Sequence, residues 1–169
     1  MIDLHCHILP GVDDGSRSAE ESLHMARLAL EDGIRTIVAT PHTLDGTYLN
    51  PLHSVSEHVL SLQQVLKERG ADLRLCVGAD VHLCPGLGDK ITKEEAGTIN
   101  NTGKYVLLEL PAQTIPSGAK KEIFSLRLMG ITPIITHPER HPAILRDMKP
   151  LYDFIAMGAL SQITAMSLT

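Results

Sequence analysis

Short, nearly continuous runs of apolar and β-branched residues alternate along the chain with longer stretches whose apolar residues recur every three or four positions. The first pattern marks strands buried on both faces, and the second marks helices with one buried stripe. Strands are predicted at 2–9, 36–41, 73–81, 105–110, 133–136 and 160–164. Between the first two, Ser18 and Glu21 form a capping box ahead of Leu23, Ala26 and Leu30, and Gly33 ends the helix. Val55, Val59, Leu62 and Leu66 mark one face of a second helix that stops at Gly70. A short third helix is predicted at 92–99 and a fourth at 120–129, ahead of Gly130. A fifth covers 143–157 and is kinked or split by Pro150.

Strands that alternate with helices predict a parallel α/β architecture. Three junctions look alike: GIRTIVATPH from Gly33, GITPIITHP from Gly130 and GALSQITA from Gly158. This weak repetition of an αβ unit favours a (β/α) barrel over an open doubly wound sheet. The chain has 169 residues, whereas a closed (β/α) barrel takes about 250. Six strands in one domain over 1–169 therefore suggest a barrel lacking its last one or two units.

Composition narrows the function classes. Hydrophobic residues make up 43% and charged residues 21%, the balance of a globular domain rather than a disordered chain. The net charge of −5 argues against nucleic acid or an anionic membrane as partner. No apolar run approaches the ~20 residues needed to cross a bilayer, and MIDLHCHILP lacks the basic start of a secretory signal. Three cysteines without a CxxC predict a reducing, cytoplasmic setting. Nine histidines, against five aromatic residues, make histidine the unusual feature.

Histidines and carboxylates stand at the ends of the predicted strands. His5 and His7 form an HxH, so both side chains leave the strand on one side and Cys6 on the other. His42 ends the second strand, Asp80 and His82 the third, Glu109 the fourth and His137 the fifth. In a (β/α) barrel those ends meet on one face, so side chains from five strands converge. A buried carboxylate such as Asp80, or Glu109 within VLLELP, requires a cation or a hydrogen-bonded partner. In Asp13-Asp14-Gly15, turn chemistry accounts for the motif taken alone, and beside the HxH Asp14 is the favoured ligand. His82 is read as a neighbour of the site.

The metal-ligand set is thus His5, His7, Asp14, His42, Asp80, Glu109 and His137, with His42 and Arg140 as catalytic candidates. Arg140 has the fork that holds a phosphate bidentately, and an ion pair with Glu139 is its alternative. Imidazole and carboxylate donors without thiolate suit Mn, Fe or Zn. Seven donors exceed the needs of one ion and imply two or three. A multimetal site can bind phosphate oxygens, activate a water and stabilise a leaving oxygen, which points to metal-assisted hydrolysis of a phosphoester. No GxGxxG, P-loop or GxSxG supports a nucleotide-fold or serine-hydrolase alternative.

MIDLHCHILPGVDDGSRSAEES, the TPH at 40–42, LLELP at 107–111 and ITPIITHPER at 131–140 resemble the polymerase-and-histidinol-phosphatase (PHP) superfamily. Within it the chain looks most like the bacterial capsule- and exopolysaccharide-type protein-tyrosine phosphatases. The resemblance implies a distorted (β/α)7 barrel of PHP type with three metals, commonly manganese. It also implies hydrolysis of phosphotyrosine on the tyrosine kinase that controls polysaccharide export. By position, His5 and His7 match ligands of one metal and Glu109 the carboxylate that bridges to a second. Asp80 and His137 match ligands of the second, Asp14 and His42 those of the third, and Arg140 a contact to substrate phosphate. Asp80 stands where this branch usually has Glu, and Met166 where it usually has Gly. The Asp-x-His of the family's last strand has no counterpart, so the chain is expected to be truncated at its C-terminal side. The open strand edges of such a chain predict self-association. Two alternatives follow: a phosphatase of histidinol phosphate or another small phosphomonoester, and a non-catalytic remnant.

Overall fold

The computed structural model describes residues 1–168. Eight strands and six α-helices follow one another: β1 (Ile2–Cys6), α1 (Ala19–Glu31), β2 (Thr36–Ala39), β3 (His42–Thr43), α2 (Leu52–Glu68), β4 (Arg74–Val77), β5 (Asp80–His82), α3 (Leu87–Thr92), β6 (Tyr105–Glu109), α4 (Ala119–Leu128), β7 (Thr132–Thr136), α5 (Pro142–Arg146), α6 (Lys149–Ala156) and β8 (Leu160–Gln162). Every strand pair is parallel, in two sheets ordered β1-β2-β4 and β3-β5-β6-β7-β8.

Eight strands appear where six were expected because two predicted strands are interrupted. Thr40-Pro41 separates β2 from β3, and Gly78-Ala79 separates β4 from β5. Pro41 has no N–H to give a ladder. Gly78 passes so close to β2 that a Cβ there would lie 2.6 Å from Val38 Cγ1. Both strands are interrupted by two residues, so they stay in step: Ala39 pairs with Val77 below the break and His42 with Asp80 above it. The first strand also stops earlier than predicted, at Cys6, and its continuation Ile8-Leu9 is buried outside the sheet.

The helices show three further differences. Ser18 Oγ accepts from the Glu21 amide, but the Glu21 carboxylate turns to the Arg17 backbone and guanidinium, so only half of the capping box forms. The third helix lies at Leu87–Thr92 rather than 92–99, and Glu94 takes a left-handed φ of 60° that prevents continuation. The fifth is split into α5 and α6, with Pro150 in the first turn of α6.

Two apolar cores flank the sheets. One gathers Ile8, Leu9, Leu23, Ile37, Val59 and Leu66 between β1, β2, β4 and helices α1 and α2. The other gathers Val81, Leu108, Ile123, Leu126, Ile135 and Phe154 between β5, β6, β7 and helices α4 and α6. After β1 a buried polar knot fixes the chain. Ser22 Oγ donates to the Ile8 carbonyl at 2.7 Å and lies 2.8 Å from Ser16 Oγ, which bonds the Ser18 carbonyl. Among the described residues no helix is long and apolar enough to cross a membrane.

Candidate metal centre

The C-terminal ends of the strands carry the polar residues, and the parallel arrangement brings them together. His5 and His7 come from β1 and the residue after it, His42 from β3, Asp80 from β5, Glu109 from β6 and His137 from the end of β7. They line one cleft of about 550 Å³, with Asp14 and Arg140 at its wall and Asp80 buried beneath. All seven residues predicted as ligands therefore lie in one neighbourhood.

The two histidines of the HxH are held from behind. His7 Nδ1 lies 2.6 Å from Asp13 Oδ2, and His5 Nδ1 lies 2.9 Å from Gln162 Oε1 on β8. Each acceptor fixes a proton on Nδ1 and leaves the Nε2 lone pair free. The two Nε2 atoms face each other at 3.2 Å. At that spacing the two nitrogens share either a proton, as a hydrogen bond, or a metal cation. Donors that share a first-row ion at about 2.1 Å stand about 3.0–3.4 Å apart, and this pair falls within that spacing.

Asp80 forms the floor. Its Oδ1 accepts from Thr136 Oγ1 at 3.3 Å, while its buried Oδ2 has no hydrogen-bond partner. Three imidazoles surround that oxygen: His5 Nε2 at 3.3 Å, His42 Nδ1 at 3.6 Å and His137 Nε2 at 3.8 Å. Burial alone would raise the Asp80 carboxyl, but His137 and His5 hold it far below the usual carboxylate range. Glu109 lies 3.3 Å from His42 Nδ1 and raises that imidazole to about 9. Burial opposes ionisation of Glu109, yet His42 and His82 bring it down to about 2. His42 Nδ1 and His82 Nδ1 are also buried without hydrogen-bond partners. Buried anionic oxygens facing unpartnered imidazole nitrogens suit divalent cations.

Among the described residues, three groups of donor atoms lie within 4.8 Å of one another: His5, His7 and Asp80; His7, Asp14 and His42; and His42, Asp80 and Glu109. This division differs from the one the family resemblance implied, since Asp80 joins the HxH pair as well as Glu109. His137 approaches both carboxylates, at 3.8 Å from Asp80 and 3.7 Å from Glu109 Oε1. It stands on left-handed backbone, φ 32° and ψ 48°, directly before Pro138.

The Asp13-Asp14-Gly15 segment is both turn and site. Asp13 accepts from the Gly15 and His42 amides as well as from His7. Gly15 folds so tightly onto His7 that a Cβ would lie 2.3 Å from its carbonyl oxygen. Asp14 projects outward with its Oδ1 3.5 Å from His42 Nε2. Sequence reasoning missed Asp13 and Gln162. A second acid in the DDG motif and a lone amide in the last strand were the available signals. Arg140 does not close a tight pair with Glu139, at 3.9 Å, and instead donates to Thr164 Oγ1 at 2.7 Å. Cys6, on the opposite side of β1, is pushed up to about 12 by burial.

A family model described as "Capsular polysaccharide synthesis, CpsB/CapC" matches residues 1–169. The tyrosine-protein phosphatase YwqE of Bacillus subtilis is 39% identical over 168 residues, 99% of this chain and 66% of that protein. The tyrosine-protein phosphatase CpsB of Streptococcus pneumoniae is 33% identical over 165 residues, 98% of this chain and 68% of that one. A crystal structure from the work on YwqE and CpsB, described as unique metal-dependent tyrosine phosphatases, matches with a TM-score of 0.95 and 38% identity. It covers 99% of this chain and 68% of the other. These matches take in nearly the whole of this chain. The chain spans 66% of the length of YwqE.

Proposed function

Because the chain belongs to the CpsB/CapC capsular polysaccharide synthesis family, we propose that it is a metal-dependent phosphatase of protein phosphotyrosine. Its substrate would be a tyrosine kinase that regulates capsule or exopolysaccharide synthesis, reached in the cytoplasm. The observation that carries the reading is the pair of Nε2 atoms of His5 and His7, 3.2 Å apart and backed by Asp13 and Gln162, beside the unpartnered Asp80 Oδ2. YwqE and CpsB are named as tyrosine-protein phosphatases, which supports the substrate class.

His5, His7 and Asp80 would hold one ion, His7, Asp14 and His42 another, and His42, Asp80 and Glu109 a third, with His137 alongside. Manganese is the proposed metal. When bound, such ions supply Lewis acidity toward phosphate oxygens and toward a water. The chain's own residues do the rest. Asp13 and Gln162 keep the Nδ1 protons of His7 and His5 in place, so the donor nitrogens need no reorganisation. Asp80 and Glu109 bring negative charge that offsets the cations. Arg140, half exposed at the cleft wall, presents a guanidinium to an incoming phosphate. Cys6 takes no part, since burial pushes its thiol up and it leaves β1 on the side away from the histidines.

In this reading the two parallel sheets belong to one distorted barrel and the chain acts as one unit. β1 and β8, each paired with one neighbour among the described strands, are bridged by the hydrogen bond between His5 and Gln162. Turnover of a phosphotyrosyl peptide tests the function. Activity should vanish on chelation, return with Mn(II), and survive Cys6→Ser within about twofold. Loss of turnover in Cys6→Ser with metal content unchanged would identify a cysteine phosphatase and overturn the reading.

A further inference from the structure

The turn beyond β8 carries a hydrogen-bond relay that the phosphate reading leaves without a role. Arg140 Nη2 donates to Thr164 Oγ1 at 2.7 Å, and that hydroxyl donates to Glu139 Oε1 at 3.0 Å. The same carboxylate oxygen accepts from the Thr164 amide at 3.2 Å and from Ser167 Oγ at 2.8 Å. Thr164 and Arg140 line the same cleft as the histidines.

We infer that Thr164 is a positioning residue for Arg140, holding its guanidinium at the cleft for a phosphomonoester dianion. The inference rests on the phosphate reading given above. An Arg140–Glu139 fork would occupy the donors that a phosphate needs and would cancel the charge. A neutral hydroxyl takes one N–H, leaves the remaining donors free, and passes the carboxylate's pull on at one remove. An unrestrained arginine would have to surrender rotamer freedom when a ligand arrives, whereas the relay fixes it beforehand. Glu139 and Ser167 in turn fix the hydroxyl. The sequence neighbours Glu139 and Arg140 thus act through a residue just beyond β8.

Titration of the Mn(II)-loaded protein with inorganic phosphate, alongside phosphotyrosyl-peptide kinetics, tests this. Thr164→Val should weaken phosphate binding and raise KM about tenfold with little change in kcat, while the thermal midpoint and metal content hold. Thr164→Ser keeps the hydroxyl and should restore both. In an Arg140→Ala background, Thr164→Val should cost nothing further, because its effect passes through the missing guanidinium. A full penalty in that background, or no rescue by serine, would overturn the relay while leaving Arg140 as the phosphate contact. If Arg140→Ala itself leaves phosphate binding unchanged, the phosphate reading of this wall fails and the relay fails with it.

Discussion

The loop after β1 feeds two clusters of buried polar groups, and they are built on opposite rules. Ser16 enters the knot with Ser22, where each hydroxyl has partners at 2.7–2.9 Å from the backbone or the other serine. Asp13 and Asp14 enter the strand-end cluster, where Asp80 Oδ2 and His42 Nδ1 are buried without a hydrogen-bond partner. In that cluster nitrogens and oxygens face one another at 3.3–3.8 Å. A knot whose groups are paired contributes to folding. A cluster whose lone pairs point at a shared space withholds its pairing for a cation. Burial and polarity are common to both, so the partner list and not the degree of burial separates scaffold from site.

Substitutions should separate the two. The largest effect is expected at Asp80, which faces three imidazoles. Asp80→Asn should lower turnover of a phosphotyrosyl peptide about a hundredfold or more and cut the metal retained through gel filtration. Unchanged metal content by elemental analysis would erase the distinction between the clusters. Asp13 tests the shell behind the donors. Asp13→Asn should weaken metal affinity about 10–100-fold without moving the fold, as followed by Mn(II) titration and circular dichroism. On the other side, Ser22→Ala removes a bond to the Ile8 carbonyl and to Ser16. It should cost about 1–3 kcal/mol in urea unfolding and leave metal content per folded molecule unchanged. Loss of metal in Ser22→Ala at full folding would mean that the knot belongs to the site.

The donors were legible in the sequence because each is a local contradiction: a carboxylate or imidazole closing an apolar strand. His5, His7, His42, Asp80, Glu109 and His137 all carry that mark, and the parallel topology brings their ends together. The supporting shell carries none. Asp13 reads as turn chemistry, Gln162 as a surface amide and Thr164 as a strand residue, and only tertiary placement gives them partners. The third helix was misplaced for a related reason. Helix formers fill Lys93-Glu94-Glu95-Ala96, yet the chain turns at Glu94, whose carbonyl accepts from the Leu52 amide. The helix forms instead around Gly88, where a Cβ would lie 2.5 Å from Met129 Sδ, so close packing outweighs propensity. The strand interruptions were hidden because Gly78-Ala79 continues an apolar run while breaking a ladder.

His137 places stability and chemistry in competition at a single position. Its φ of 32° is a region where a residue with a Cβ costs on the order of 1–3 kcal/mol, and the proline that follows restricts it further. Glycine would relax that backbone and delete the imidazole in the same step. Selection for thermal tolerance alone would therefore favour erosion of the centre at this residue, while selection for turnover keeps the histidine and accepts a less stable fold. Part of the stability gained in the two cores is spent here, on an imidazole that the backbone would otherwise not hold.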